Sequence, residues 1–216
     1  MKAVLIPVKD PARGKTRLAE YFTLDERKQL AWAMFEDVAR AASGASLPDR
    51  VAIVTNFDLA AKRAREIGFD VLNEQAQISE SASVDWASLI LKQQGFETVI
   101  RMPADVPLIL AEDIDWLLSV EVPSPGALLV PSLDGTGTNA IVRTPPDVFP
   151  SRFGPNSLAL HQEEAARAGV ACVIISRERI ALDIDEPAEI SLFMQRGRGT
   201  ETFKLLSRLN LAKAQT

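Results

Sequence analysis

Five short apolar runs, at residues 3–8, 50–55, 97–101, 127–131 and 170–175, are rich in Val and Ile and recur between longer stretches with helical spacing of their apolar residues. The longer stretches lie at about 24–43, 58–67, 80–94, 111–119 and 157–169. Continuous apolar runs of strand length suit strands covered on both faces, and helix-length connections between them make crossovers rather than hairpins. The alternation predicts an α/β fold with a mostly parallel sheet and helices on both faces. Thr23 or Asp25 is placed to cap the first long helix, whose Leu30, Met34 and Val38 recur near helical spacing, and Ser157 to cap the helix carrying Leu158 and His161. A chain of 216 residues suits one domain, read as 1–196, with 197–216 as a C-terminal helix or flexible arm carrying Leu205, Leu206, Leu209 and Leu211.

Composition narrows the partners. A net charge of −5 argues against nucleic acid, which needs a basic face. Cys172 is the single cysteine and has no internal disulfide partner; it reads as core filler, and the low cysteine count suits the cytoplasm. The first apolar run is interrupted by Pro7 and no run reaches membrane-spanning length, so neither export nor a membrane partner is expected. The oligomeric state is not legible.

Three motifs fall just after apolar runs, where an open α/β sheet presents its ligands. The first, Lys9-Asp10-Pro11-Ala12-Arg13-Gly14-Lys15-Thr16-Arg17, packs four cations into nine residues and points to a polyphosphate. It is not a P-loop: the glycine required five residues before Gly14 is Lys9, and Pro11 interrupts the amide cradle. Lys9, Arg13, Lys15 and Arg17 can still neutralise phosphates. The second motif, Met102-Pro103-Ala104-Asp105-Val106-Pro107, carries Asp105 in a turn between prolines, either as a Mg²⁺ ligand or as a turn or cap aspartate. The third, Leu182-Asp183-Ile184-Asp185-Glu186-Pro187, puts two carboxylates on one side of an extended segment before a helix that starts at Pro187. Asp105 with Asp185 is the stronger metal pair, since Mg²⁺ usually takes one or two carboxylates together with substrate phosphates. Two further segments, Asp134–Asn139 and Phe153–Ser157, offer amides, hydroxyls and a helix N-terminus, and together read as a second anion pocket. His161, the only histidine, reads as satisfied or solvent-facing rather than as a base.

With these blocks in order, PVKDPARGKTRL, PADVP, DGTGTNA, FGPNSLALH and LDIDEPAE, the chain resembles the guanylyltransferases of coenzyme F420 biosynthesis. These enzymes are named for 2-phospho-L-lactate, with relatives that use phosphoenolpyruvate or 3-phospho-D-glycerate. The resemblance spans Pro7 to Glu189. It implies a GT-A-like, Rossmann-type nucleotidyltransferase domain that moves GMP from GTP to a phosphorylated three-carbon acid and releases pyrophosphate. It further implies that Lys9, Arg13, Gly14, Lys15 and Arg17 bind the nucleotide, with Lys15 and Arg17 also catalytic. Asp105 and Asp185 would hold Mg²⁺ with Asp183 in reserve, and Thr138, Asn139, Gly154 and Ser157 would take the acid. The segment Ser79–Trp86 departs from a Gly-Leu-Asn-like block of many relatives, on the base and acceptor side. The alternatives are a sugar-phosphate or molybdopterin nucleotidyltransferase of the same fold, and a nucleotide-binding regulatory protein without catalysis.

Overall fold

The structure, a computed structural model, describes residues 1–213, apart from the side chains of Arg13 and of residues 210–213. The last three residues of the expected arm lie outside the described residues. The elements run β1 (Lys2–Pro7), α1 (Leu24–Gly44), β2 (Arg50–Thr55), α2 (Asp58–Glu66), β3 (Asp70–Asn73), α3 (Glu80–Gln93), β4 (Thr98–Arg101), α4 (Ala111–Ser119), β5 (Gly126–Pro131), β6 (Thr138–Thr144), α5 (Ser157–Ala168), β7 (Ala171–Ile174), α6 (Glu178–Ala181), α7 (Pro187–Arg196) and α8 (Glu201–Lys213). The strands make one seven-stranded sheet in the order β3-β2-β1-β4-β6-β5-β7. Its pairs are parallel except where β6 runs antiparallel between β4 and β5.

Strand alternation sorts the core into two layers. Val4, Ile6, Ile53, Ile100, Leu128 and Val142 face the side covered by α1, α2 and α4. Ala3, Leu5, Ala52, Val54 and Val99 face α3, and Ala127, Leu129 and Ile141 face α5. Successive residues of β1 thus point to opposite faces and are both buried, as a strand with helices on both sides requires. A third cluster joins Leu30 and Met34 of α1 to Phe193 of α7 and Leu205 and Leu206 of α8. Buried Asp37 of α1 fixes the start of α8 by accepting the amides of Glu201 (2.8 Å) and Thr202 (2.9 Å) and the Thr202 hydroxyl (2.7 Å). No helix among the described residues is long and apolar enough to cross a membrane.

Two strands were not among the expected runs. β3 is a four-residue edge strand, and β6 begins where the glycine-rich turn was expected to continue. The polar residues that disguise β6 have internal partners. Arg143 is 2 % exposed and donates to Asp85, the Phe149 carbonyl and Ser88. The run at 170–175 forms an edge strand, and Cys172 within it is only half-buried, against the α5 side of the core. Thr23 caps α1 through a capping box with Glu26. Ser157 does not cap α5: Asn156, in a left-handed conformation, takes that position, and the Ser157 hydroxyl accepts the Thr138 amide at 2.8 Å.

Candidate active site

The ends of β1 and β4 and the α6–α7 connection converge at one sheet edge. After β1 the chain makes two 3₁₀ turns, Pro11–Arg13 and Thr16–Leu18, and between them Lys15 sits at φ 53°, ψ 38°. A lysine in the left-handed region is held there by its surroundings. The Lys15 carbonyl accepts the Leu18 amide, and the neighbouring Gly14 carbonyl accepts Arg27 at 3.1 Å. The side chain then reaches inward, and its ammonium lies 2.6 Å from Asp105 Oδ2 and 2.6 Å from Asp185 Oδ1.

Asp105, Asp183 and Asp185 each offer an oxygen, and all three oxygens lie within 4.8 Å of one another. The backbone braces them: Ile184 N–H donates to the Asp105 carbonyl at 3.2 Å, tying the two turns together. Glu189, at the third position of α7, accepts the amides of Asp185 (2.6 Å) and Glu186 (2.8 Å). Asn139 Nδ2 donates to Asp183 Oδ1 at 3.0 Å and to the carbonyls of Ile180 and Ala181. Burial and the nearby charge of Asp105 push the Asp183 carboxyl up to about 6, against the Asn139 hydrogen bond. Burial alone would also raise Asp105, but the Lys15 charge outweighs it and holds Asp105 below the ordinary range. Burial opposes the Lys15 ammonium too, and Asp105 and Asp185 overcome it, so Lys15 stays charged.

The donor set fits a hard divalent ion. Three carboxylate oxygens lie within 4.8 Å of one another, against the ~4.2 Å across an octahedral Mg²⁺, and a lysine ammonium lies between two of them. Asp183 belongs to this set on the same footing as Asp105 and Asp185.

A cavity of about 240 Å³ opens beside the cluster, lined by Lys9, Lys15, Glu80, Arg101, Asp105 and Asp185, with Trp32, Phe35 and Phe57 as its aromatic wall. The sequence reading missed Glu80 and Arg101. Arg101 ends β4 and is 6 % exposed; it donates to Glu80 and to the Asn139 carbonyl (2.7 Å), and it lies 4.1 Å over the Phe153 ring. Lys9 reaches the other Glu80 oxygen at 3.2 Å. Burial disfavours the Glu80 charge, yet Arg101 and Lys9 hold its carboxyl below the ordinary range. An arginine immediately before the Met-Pro turn, at the end of a strand, was the available signal. Arg17 is not in the cavity wall; it pairs with Glu186 at 3.1 Å, both exposed. The Arg13 side chain lies outside the described residues.

Several amides of the expected second anion pocket have partners within the protein. Asp134 gathers its own turn, accepting from Ser132, from the Thr136 amide and from the Thr136 hydroxyl, and these bonds lower its carboxyl to about 2. The Gly135, Gly137 and Thr138 amides go to the Ser132 carbonyl, the Ser132 hydroxyl and the Ser157 hydroxyl. At the start of α5 the Ser157 and Leu158 amides are taken by the Gly154 and Thr136 carbonyls. Thr138, Asn139 and Ser157 are buried, and Gly154 alone of the four is exposed. His161 is fully buried, and its Nε2 accepts the Arg152 amide at 2.8 Å. Nδ1 therefore carries the proton and donates to Thr138 Oγ1 at 3.0 Å. Burial and the charges of Arg143 and Arg101 lower the imidazole to about 4, so it is neutral at pH 7.

One edge of the open α/β sheet thus carries a cationic loop, a carboxylate cluster and an adjoining cavity. Solved structures of the same fold include one from Desulfovibrio desulfuricans G20, with TM-score 0.79 at 19% identity, covering 99% of this chain and 97% of that one. Another is a CMP:2-keto-3-deoxy-manno-octonic acid synthetase complexed with CTP, with TM-score 0.60 at 11% identity and coverage of 90% and 97%. The family described as "Guanylyl transferase CofC like" matches residues 1–215, and the chain belongs to that family. Relatives include the 3-phospho-D-glycerate guanylyltransferase of Colwellia psychrerythraea, 30% identical over 88% of this chain and 89% of the relative. The phosphoenolpyruvate guanylyltransferase of Rubrobacter xylanophilus is also 30% identical, over 87% and 90%. The 2-phospho-L-lactate guanylyltransferase of Methanothermobacter thermautotrophicus is 27% identical over 95% and 89%.

Proposed function

We propose that the chain transfers GMP from GTP to 2-phospho-L-lactate, phosphoenolpyruvate or 3-phospho-D-glycerate, releasing pyrophosphate, as a step toward coenzyme F420. The observation that carries this reading is the convergence of Asp105, Asp183 and Asp185 with Lys15 at the mouth of the cavity. A phosphate oxygen of the acceptor forms a bond to the α-phosphorus of GTP while the bond to the β-phosphate bridge breaks. That oxygen is already anionic at neutral pH, so the reaction asks for no general base, and the buried neutral His161 is not needed as one. Mg²⁺, held by the three aspartates, would neutralise phosphate charge when bound. Lys15, released from its two carboxylates, would answer the charge on the departing pyrophosphate. Lys9 and Gly14 would line the nucleotide's approach, with Arg17 as an outer cation and Arg13 as a further cation of the same loop, and Asn139 would orient Asp183. Thr138, Gly154 and Ser157 would wall the acceptor side. A chain that works on GTP and has one unpaired cysteine suits the cytoplasm. Pyrophosphate release with GTP, CTP and ATP, each paired with the three acids, tests the reading. A sugar phosphate or molybdopterin that outpaced every three-carbon acid would remove the acid assignment.

A further inference from the structure

We propose that Arg27 is a positioning residue for Lys15: its guanidinium fixes which way the Gly14–Lys15 peptide faces, and with it the backbone from which the Lys15 ammonium reaches Asp105 and Asp185. The consequence for turnover rests on the function proposed above; the placement itself does not. Arg27 closes the first turn of α1, which begins at Leu24. A cation there lies near the positive end of the helix dipole, whereas its neighbours Asp25 and Glu26 carry the charge that such a position favours. Arg27 is half-buried and has no carboxylate at ion-pair distance among the described residues. Its side chain donates one hydrogen bond, to the Gly14 carbonyl at 3.1 Å, and its Nε is buried without an acceptor. The residue does not line the cavity. A buried arginine kept in so unfavourable a setting has the loop carbonyl as its one partner.

The leverage lies in the peptide plane. The Gly14 carbonyl and the Lys15 N–H belong to one planar group, so turning that carbonyl over would turn φ of Lys15 by about half a revolution. That φ is 53°, in the left-handed region that lysine rarely adopts, so a loop left to itself favours the flip. Arg27 opposes it by holding the carbonyl toward α1. On the other side of Lys15, its own carbonyl accepts the Leu18 amide at 3.1 Å, and Leu18 is buried in one cluster with Leu30 and Met34 of α1. Both peptides that flank Lys15 are thus tied back to the same helix. The requirement they serve is strict: a side chain only 8 % exposed must bring one ammonium to two carboxylate oxygens at 2.6 Å each. A lysine whose Cα–Cβ bond pointed elsewhere would miss one or both. Arg27 acts through Lys15 and does not itself meet the substrate.

The test uses the full chain with two readouts, amide hydrogen exchange and kcat from pyrophosphate release. Arg27→Met keeps the stem and removes the donors. Exchange at the Leu18 amide, which reports the loop, speeds up several-fold, while the amides of Met34 and Phe35 deeper in α1 stay as protected as in wild type. In turnover Arg27→Met lowers kcat ~10-fold, inside the ~10²-fold that a 1 Å misplacement can cost. In a Lys15→Ala background the same change costs less than ~2-fold, because the group it positions is gone. Arg27→Lys, which keeps a donor for the carbonyl, recovers most of both losses. The proposal is overturned by unchanged exchange at Leu18, by a gain in exchange spread through α1, by an equal loss of kcat in both backgrounds, or by a lysine no better than methionine. The exchange arm needs no turnover. A wild-type protein that released no pyrophosphate with any acid would sink the proposed function, while exchange still decided whether Arg27 holds the loop.

Discussion

The β1–α1 loop and the β6–α5 corner meet at the same sheet edge and treat their polar groups in opposite ways. In the loop, Lys15 is bent into a left-handed conformation to place one ammonium on two carboxylates, while Lys9 and Arg17 reach outward to Glu80 and Glu186. In the corner, Thr138 joins Ser157 and His161, Asn139 donates to the Ile180 and Ala181 carbonyls and to Asp183, and all four are buried. The loop stores charge whose partners a substrate or a metal can exchange. The corner stores no exchangeable charge and fixes shape. Substitutions in the loop and its acidic partners should therefore strike turnover, and substitutions in the corner should strike stability or metal affinity.

The largest expected effect is at the shared cluster. Asp105→Asn should lower kcat on the order of 10³-fold with circular dichroism and melting unchanged; a variant within tenfold of wild type would take Asp105 out of the metal set. Next comes the corner's dependence on acid. His161 is lowered from 6.5 to about 4 on folding, so below pH 6.5 the unfolded chain takes up a proton that the native chain refuses. Stability from this source is complete above pH 6.5 and falls as pH drops, by about 3 kcal/mol in all near pH 4. Urea midpoints at pH 7.5, 5.5 and 4.5 should decline more steeply in wild type than in His161→Gln, and equal slopes would contradict the buried neutral ring. Lys15→Ala should reduce kcat ~10²-fold, and a loss of only a few-fold would make Lys15 a structural counter-ion. The smallest effect sharpens the boundary between the regions. Asn139→Ala frees Asp183 and should raise the Mg²⁺ needed for half-maximal rate ~10-fold with kcat at saturation retained; an unchanged requirement would confine Asn139 to the corner's packing.

How much of this was legible before folding follows the same division. The run of β1, the PADVP turn and the acidic pair at 183–185 are contiguous in sequence, and their chemistry was read from residue type and position at strand ends. β6 was hidden because it carries Thr138, Asn139 and Arg143, polar residues whose partners at Ser157, Asp183 and Asp85 are distant in sequence. The corner's amides look free in the sequence because a glycine-rich turn advertises donors, yet Asp134 and Ser132 within the turn and the more distant Ser157 consume them. Glu80 and Arg101 escaped because each is ordinary alone. Their meaning comes from being 21 positions apart and yet paired in the wall of a cavity.

The Asp37 contact with the start of α8 has a reach that its position at the back of the molecule conceals. Helix α1 is a partition wall: Ala31, Trp32, Met34 and Phe35 line the cavity beside the acidic cluster, while Leu30 and Met34 pack in the cluster that holds Leu205 and Leu206. The C-terminal helix is thus a buttress for the far side of the cavity beside the acidic cluster. A tag, a truncation or a proteolytic nick that pulled α8 away from Asp37 would loosen that wall from behind, and the lesion would be felt as a change in substrate affinity in a protein whose catalytic side chains were all intact.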